Sequence, residues 1–414
     1  MSETMPIQPW MARPSTQRVM KVLDEARPGC ARFVGGCVRN ALLGVSVSDI
    51  DIATQLPPDD VTAVLKRSGI AVHPTGIDHG TVTAVANGDP FEITTLRRDV
   101  ETDGRRAVVA YTDDWVEDAE RRDFRLNALY ADLDGTLHDP TGSGIQDLND
   151  RRIVFIGDPE TRIREDYLRI LRFFRFNAWY GRKSLNAEGL AACAKLKDGL
   201  VGVSVERIWV ELKKLLSAED PRDALKAMAQ SGVLGEIVPE AHGLDLLDQW
   251  VAIEMEQDFQ LDPIVRFLAL FSKDPDLMDQ VARRLKLSNS ERARLVAAAA
   301  DQTQLKSFMS AREVRGALYA MGAHAYRDRV RLAWANDGRD ETSDQWRALL
   351  AMADDWERPE LPLSGEDVLA AGVPAGPKVG EVIRAVEDWW IDADFVDDKD
   401  AILERLNAVA QALD

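Results

Sequence analysis

The sequence predicts an α+β chain in which a head with a small mixed sheet is followed by helices to the end. Three observations carry this. Strand and helix patterns alternate over the first 150 residues, strand patterns become rare after Asp150, and glycine and proline breaks divide the helical remainder.

In order, Ser15 is placed to cap a helix ending near Pro28, and residues 32–34 begin a short strand. Residues 37–43 have helical spacing closed by Gly44, residues 49–53 read as a second strand, and residues 58–68 form a helix behind two prolines. Residues 81–85 and 91–95, joined by an Asn-Gly-Asp-Pro turn, predict a hairpin. Beyond the head, helical patterns cover 160–180, 204–216, 221–231 and 278–286, with breaks near Gly181, Pro239, Asp274 to Asp276 and residues 357–362. The expected division is a head over 1–150, a neck over 151–235, a body over 236–355 and a tail over 356–414.

With 414 residues, 45% of them apolar and 29% charged, the chain has the composition of a soluble globular protein with a sizeable core. No residue run is long and apolar enough to suggest a membrane span or a leader, so no membrane partner and a cytoplasmic location are expected. The three cysteines, Cys30, Cys37 and Cys193, have neither metal spacing nor the even count of a disulfide framework, and read as buried thiols. Trp389 and Trp390 read as core. A net charge of −19 argues against indiscriminate adhesion to nucleic acid. Residues 151–183 oppose it: nine positive and four negative residues give a local +5 and leave −24 for the rest.

Gly35 and Gly36 follow a strand and open a helix, where backbone can approach a ligand and free N–H groups meet an anion; Arg39 adds a cation in the first turn. In Asp49-Ile50-Asp51-Ile52, strand geometry sends both carboxylates to one face. Like charges side by side cost stability unless a cation bridges them. Glu92 on another strand supplies a third carboxylate. Three such carboxylates below an anion cradle suit two-metal phosphoryl transfer with Mg²⁺. The plainer reading is solvated carboxylates at strand ends. In Arg121-Arg122-Asp123-Phe124-Arg125-Leu126-Asn127, the arginines can neutralise phosphate and Asn127 can bond a sugar hydroxyl or phosphate.

Asp166 and Arg169 stand three apart on an expected helix and can share a face. A carboxylate only accepts and a guanidinium only donates. Held in one plane, the pair matches the amino-and-ring-nitrogen edge of cytosine or adenine and opposes that of guanine or uracil. An ordinary intrahelical salt bridge is the alternative. Steps of three drift around a helix by roughly 60°, so Arg175 cannot point where Asp166 does; phosphate or RNA is its expected partner.

Taken in order, GGCVRNALLG, SDIDIAT, GTVTAV with FEITTLR, RRDFRLNALY, DPTGSGIQDL, IGDPETRIREDYLRILRFFRF and SVERIWVELKKLL resemble the class II tRNA nucleotidyltransferase and bacterial poly(A) polymerase family, within the DNA polymerase beta-like superfamily. They span about residues 32–216, half the chain. The resemblance implies a palm-like nucleotidyltransferase head, metal ligation by Asp49 and Asp51, and Glu92 as the third carboxylate. It also implies nucleotide contacts from Gly36, Arg39, Arg122, Asp123, Asp166, Arg169, Arg172 and Arg175. Residues 97–112 match the family's flexible loop. The implied activity is Mg²⁺-dependent addition of CMP and AMP from CTP and ATP to the 3′ end of tRNA. Poly(A) addition, an A-only or CC-only half-reaction, or a non-catalytic RNA-binding protein are the alternatives. No obligate protein partner is evident. One departure stands out: the family's aspartate after GGxVR is Asn40 here. In the tail, residues 372–383 either present N–H groups to an RNA phosphate or simply pack the terminal helix.

Overall fold

The computed structural model describes residues 3–103, 106–182, 184–395 and 398–412, with side chains throughout except at 78 and 99–109. It divides into two compact units, Met1–Pro239 and Glu240–Asp414.

The first unit opens with helix α1 (Pro14–Ala26), in which Pro14 takes the first turn. Arg13, not Ser15, is at the cap, and the Ser15 hydroxyl instead donates to Asp89. Seven strands form one sheet: β1 (Ala31–Val34), β2 (Asp51–Thr54), β3 (Ala71–Gly76), β4 (Thr81–Ala86), β5 (Asp89–Thr95), and the short β8 (Tyr130–Ala131) and β9 (Leu137–His138), in the order β3-β4-β5-β2-β1-β8-β9. Only β2 and β5 run parallel; every other pairing is antiparallel, so the sheet is mixed as expected. Strand β2 begins at Asp51 rather than Asp49, and the buried Ile50 and Ile52 still face the core.

Between these strands lie α2 (Gly36–Leu43), closed by Gly44 at φ 69°, and α3 (Pro58–Arg67). Strands β6 (Arg97–Asp103) and β7 (Arg106–Tyr111) pair as a separate antiparallel ribbon. This is the segment matched to a flexible loop; its residues 104 and 105 lie outside the described residues. Helices α4 (Trp115–Glu120) and α5 (Gly144–Asn149) complete the head.

The expected helix over 160–180 is two: α6 (Pro159–Glu165), capped by the Asp158 carboxylate, and α7 (Leu168–Tyr180). Asp166 has extended backbone (φ −155°, ψ 104°) at the break. Its carboxylate accepts from the N–H of Leu168 (3.1 Å), the first residue of α7, whose N-cap position is Tyr167. Helical periodicity is insensitive to such a one-residue interruption because the apolar stripe resumes in nearly the same phase. Phe124, Phe155, Phe173 and Phe176 form one ring cluster that seats α7 against the head, with Phe155 and Phe173 stacked at 5.5 Å. Helices α8 (Ala187–Leu196), α9 (Val205–Leu216), α10 (Arg222–Gln230) and α11 (Val233–Ile237) complete the unit.

The second unit is all-helical among the described residues: α12 (Leu244–Glu256), α13 (Pro263–Leu268), α14 (Pro275–Arg284), α15 (Asn289–Ala300), α16 (Ala311–Asp337), α17 (Ser343–Ala351), α18 (Gly365–Ala370), α19 (Pro377–Asp392) and α20 (Lys399–Gln411). Trp334 and Trp346 centre one core cluster and Trp390 another. Trp389 packs against the latter, and Val373 and Val382 of the 372–383 segment are buried in it. All three cysteines are free and buried, and burial pushes the Cys37 thiol up to about 11.

Candidate active site

The β1–α2 turn requires glycine at one position. Gly35 has φ 69°, in the left-handed region, and a Cβ there would meet Arg122 Nη1 at 3.5 Å; Gly36 takes the first helical position. The turn therefore brings its backbone to the guanidinium of Arg122, leaving the first N–H groups of α2 without side-chain caps.

Strand register supplies the carboxylates. Asp51 of β2 is directly opposite Glu92 of β5. Asp49 lies exposed just before β2 and accepts from the Ser48 hydroxyl (3.0 Å). Burial first, and then the charges of Glu92 and Asp49, push the Asp51 carboxyl up to about 6 against the pull of Arg122 and Arg39. Such a group is held toward its protonated form by burial and by its acidic neighbours, and a divalent cation would relieve both. Among the described residues no three histidine, cysteine or acidic side chains close into a ready cage. An ion here would therefore complete its shell with phosphate and water, the habit of Mg²⁺.

A cavity of about 380 Å³ opens beside Asp51, lined by Gly35, Gly36, Arg39, Arg122, Asp123, Asn127, Asp166, Arg169 and Arg172. Of the predicted site residues, Asp49, Glu92 and Arg175 do not line it. Arg175 Nε instead donates to Glu211 of α9, and its guanidinium lies 4.3 Å from the centre of the Phe176 ring.

Buried partners hold the cavity's cations. Arg39 is 7% exposed, and every hydrogen-bond partner it has among the described residues is neutral. Asn40 Oδ1 accepts from its Nε (3.1 Å) and Nη2 (2.8 Å), Asn127 Oδ1 from Nη1 (2.6 Å), and the Tyr180 hydroxyl from Nη2 (2.8 Å). Asn40 Nδ2 donates to the Ser46 carbonyl, which fixes which way its amide faces. Asn40 is thus the amide that orients Arg39. Burial lowers the Arg39 pKa.

Asp123 Oδ2 accepts from Arg172 Nε (2.7 Å) and Nη2, while its Oδ1 accepts from Asn127 Nδ2 (3.0 Å). Burial alone would raise this carboxyl; Arg172 and the amide bond bring it down to about 2. Asn127 therefore bridges Arg39 and Asp123 as a buried amide.

Asp118 on α4 does the same for its neighbours. It is 1% exposed and receives Arg121, Arg122 and the Tyr130 hydroxyl (2.7 Å), which overcome burial and hold it at about 2.

Asp166 and Arg169 reach the same cavity from different elements, and the intrahelical bridge between them is not formed. Asp166 Oδ2 accepts from Arg207 Nη2 of α9 (2.7 Å), whereas Arg169 donates to Glu165 and to the carbonyls of Arg162 (2.7 Å) and Arg121 (3.1 Å). Both side chains are held by protein partners.

Arg207, Asp118, Tyr180 and Glu211 escaped sequence reasoning. For Arg207 a signal existed: a cation in the first turn of a helix opposes the helix dipole and calls for an acidic partner. Asp118 carried none, since its partners are set by packing.

Residues 31–154 match the family model described as "Poly A polymerase head domain", and residues 184–244 that described as "Probable RNA and SrmB- binding site of polymerase A". The chain is 33% identical to the CCA tRNA nucleotidyltransferase 1, mitochondrial, of Danio rerio, covering 91% of this chain and 86% of that one. It is 30% identical to the CCA-adding enzyme of Levilactobacillus brevis, covering 95% and 96%. The crystal structure of the Bacillus stearothermophilus CCA-adding enzyme in complex with CTP superposes with a TM-score of 0.76 at 26% identity, covering 97% of this chain and all of that one.

Proposed function

The chain belongs to the CCA-adding tRNA nucleotidyltransferase family, and on that premise we propose that it adds CMP and AMP from CTP and ATP to the 3′ end of tRNA without a template, releasing pyrophosphate. Relatives that match over nearly the whole chain carry that activity in their names, which favours it over poly(A) addition or a half-reaction. The observation that carries the mechanism is a single cavity lined by the glycine turn, Asp51, and the Asp166 and Arg169 side chains.

In this reading the α2 N-terminus, Arg39, Arg122 and Arg172 bind the triphosphate. Asp118 and Asp123 keep two of those arginines aimed. Asp51 and Asp49 hold Mg²⁺, with Glu92 beside Asp51 as the third carboxylate. When bound, the metal supplies a lowered pKa for the attacking 3′-hydroxyl and charge neutralisation for the leaving pyrophosphate. Glu92 completes the carboxylate cluster and helps to accept the hydroxyl proton. Asp166 accepts from the exocyclic amine of cytosine or adenine and Arg169 donates to the adjacent ring nitrogen. Guanine and uracil would set donor against donor and acceptor against acceptor. Arg175, committed to Glu211, supports the wall rather than the ligand.

Functionally, residues 1–150 form the catalytic head, 151–235 the neck that carries base selection, 236–355 the body and 356–414 the tail. A cytoplasmic location belongs to the same proposal. Among the described residues no helix is long and apolar enough to cross a membrane, although the vertebrate relative is named as mitochondrial.

The test is extension of tRNA ending before CCA with each labelled nucleotide. The parent should add C, C and A only. Asp51→Ala should lose incorporation by at least a thousandfold while binding tRNA normally. Near-normal extension by that variant would refute the metal assignment, and long A tracts from the parent would refute CCA addition.

A further inference from the structure

A second cavity, of about 360 Å³, lies within the second unit, outside residues 184–244 that match the RNA-binding family model. Three cations line it, Lys273, Lys306 and Arg329, and no acidic residue does. In a chain of 70 acidic and 51 basic residues that bias is unexpected.

Arg329 on α16 is 1% exposed, and its Nη atoms donate to the carbonyls of Asp301 and Thr303. Its Nε is buried without a partner among the described residues. The one carboxylate it pairs with there, Asp301, is 3.9 Å away. Neither lysine forms an ion pair among the described residues; Lys306 Nζ lies 5.8 Å from the centre of the Phe308 ring. Burial and then Arg329 push the Lys273 amine below the ordinary lysine range.

Arg329 is buried with its Nε unpartnered among the described residues and its one ion-pair carboxylate there 3.9 Å away, while Lys273 and Lys306 are exposed, so an anion bound among the three supplies counter-charge that the cavity lining lacks. The rest of the wall defines what the anion is attached to. Phe271 and Leu332 give an apolar surface, and Gln304 and Asn336 add carboxamides that both donate and accept. A few polar groups on an apolar wall, in a space of this size, are the usual features of a small-ligand site.

We propose that this cavity binds one nucleoside phosphate unit, its phosphate on Lys273, Lys306 and Arg329 and its base or ribose between the two carboxamides. That unit is either a free nucleotide or one nucleotide of an RNA chain. The proposal does not depend on the chemistry assigned to the first unit.

The test uses the full chain in EDTA, with equilibrium binding of labelled AMP and CMP and, separately, of tRNA lacking CCA. Two variants are compared with the parent: Lys273→Glu/Lys306→Glu, and Ala333→Phe, which fills the cavity without changing charge. Thermal melting monitors folding, and extension at saturating tRNA, CTP and ATP is expected to be unchanged. If the occupant is a free nucleotide, both variants weaken AMP or CMP binding at least tenfold. If it belongs to RNA, monophosphates bind poorly to the parent, and both variants weaken tRNA binding several-fold. Folded variants that bind monophosphate and tRNA as the parent does overturn the proposal. So does weakening of tRNA binding by the charge reversal alone.

Discussion

Arg39 and Asn40 show how much one neutral side chain can decide. A buried guanidinium bonded only to amide and hydroxyl oxygens keeps its charge available to an anion, at a cost to the empty protein. Asn40→Asp preserves the shape and adds a counter-charge. It should stabilise the fold by about 1 kcal/mol, the gain of a charge-assisted over a neutral hydrogen bond. It should also raise the KM for CTP several-fold with a smaller effect on kcat. Unchanged KM together with unchanged melting would show that the amide is indifferent. Asp51 makes the complementary prediction for pH. Its pKa rises on folding from 3.8 to about 6, so the folded state holds the proton more tightly. Its contribution to stability is therefore fully present below the unfolded value and is lost as pH rises through about 6. In EDTA the urea midpoint should fall across that window through this group. Mg²⁺ should restore it at the upper end, and Asp51→Asn should flatten the profile; a parent indifferent to Mg²⁺ above pH 6 would contradict the site.

Among the elements, the break between α6 and α7 matters most. A continuous helix would carry Asp166 and Arg169 one above the other, free to pair with each other. The break leaves one Asp166 oxygen on the Leu168 N–H at the start of α7 and gives the other to Arg207 of α9. Base selection in this reading depends on α9, which need not touch the nucleotide through any other residue. Arg207→Gln should therefore relax discrimination against GTP and UTP roughly tenfold, the worth of one hydrogen bond to a charged group. Arg207→Lys should recover part of it. Loss of overall rate with discrimination intact would make Arg207 a packing residue only. The helix pattern and the residues at its centre were legible before the structure, because periodicity reports the buried face. The break was not, because a single extended residue leaves that periodicity almost unaltered. Asp49 shows the same limit from the other side: strand alternation pairs it with Asp51, yet β2 starts two residues later and leaves Asp49 exposed.

For the molecule as a whole, the −19 charge means that RNA is met against a repulsive background. Attraction must come from local clusters such as the +5 segment at 151–183, much of which is already spent on buried partners. The dependence of tRNA affinity on salt should accordingly be shallow, with a log–log slope no steeper than about −5, because few phosphates are neutralised. A slope near −8 in filter binding would mean that charges outside these clusters dominate.

The sequence by itself determined the α+β head, the helical remainder, the glycine turn, and most of the cavity's charged lining, namely Asp51, Asp123 and Asp166 with Arg39, Arg122, Arg169 and Arg172. These are local matters, set by side-chain periodicity, backbone freedom and the chemistry of single residues. Only the tertiary structure decided which charges meet. The parallel register of β2 and β5 put Glu92 opposite Asp51, packing of α7 and α9 gave Arg175 to Glu211 and Asp166 to Arg207, and the end of α7 brought Tyr180 to Arg39. Each pairing joins residues tens to more than a hundred positions apart. For Arg39, Arg175 and Asp166 the partner is selected by the cost of burying a charge unpaired, a quantity that exists only once the chain has folded; for Asp51 and Glu92 it is set by strand register.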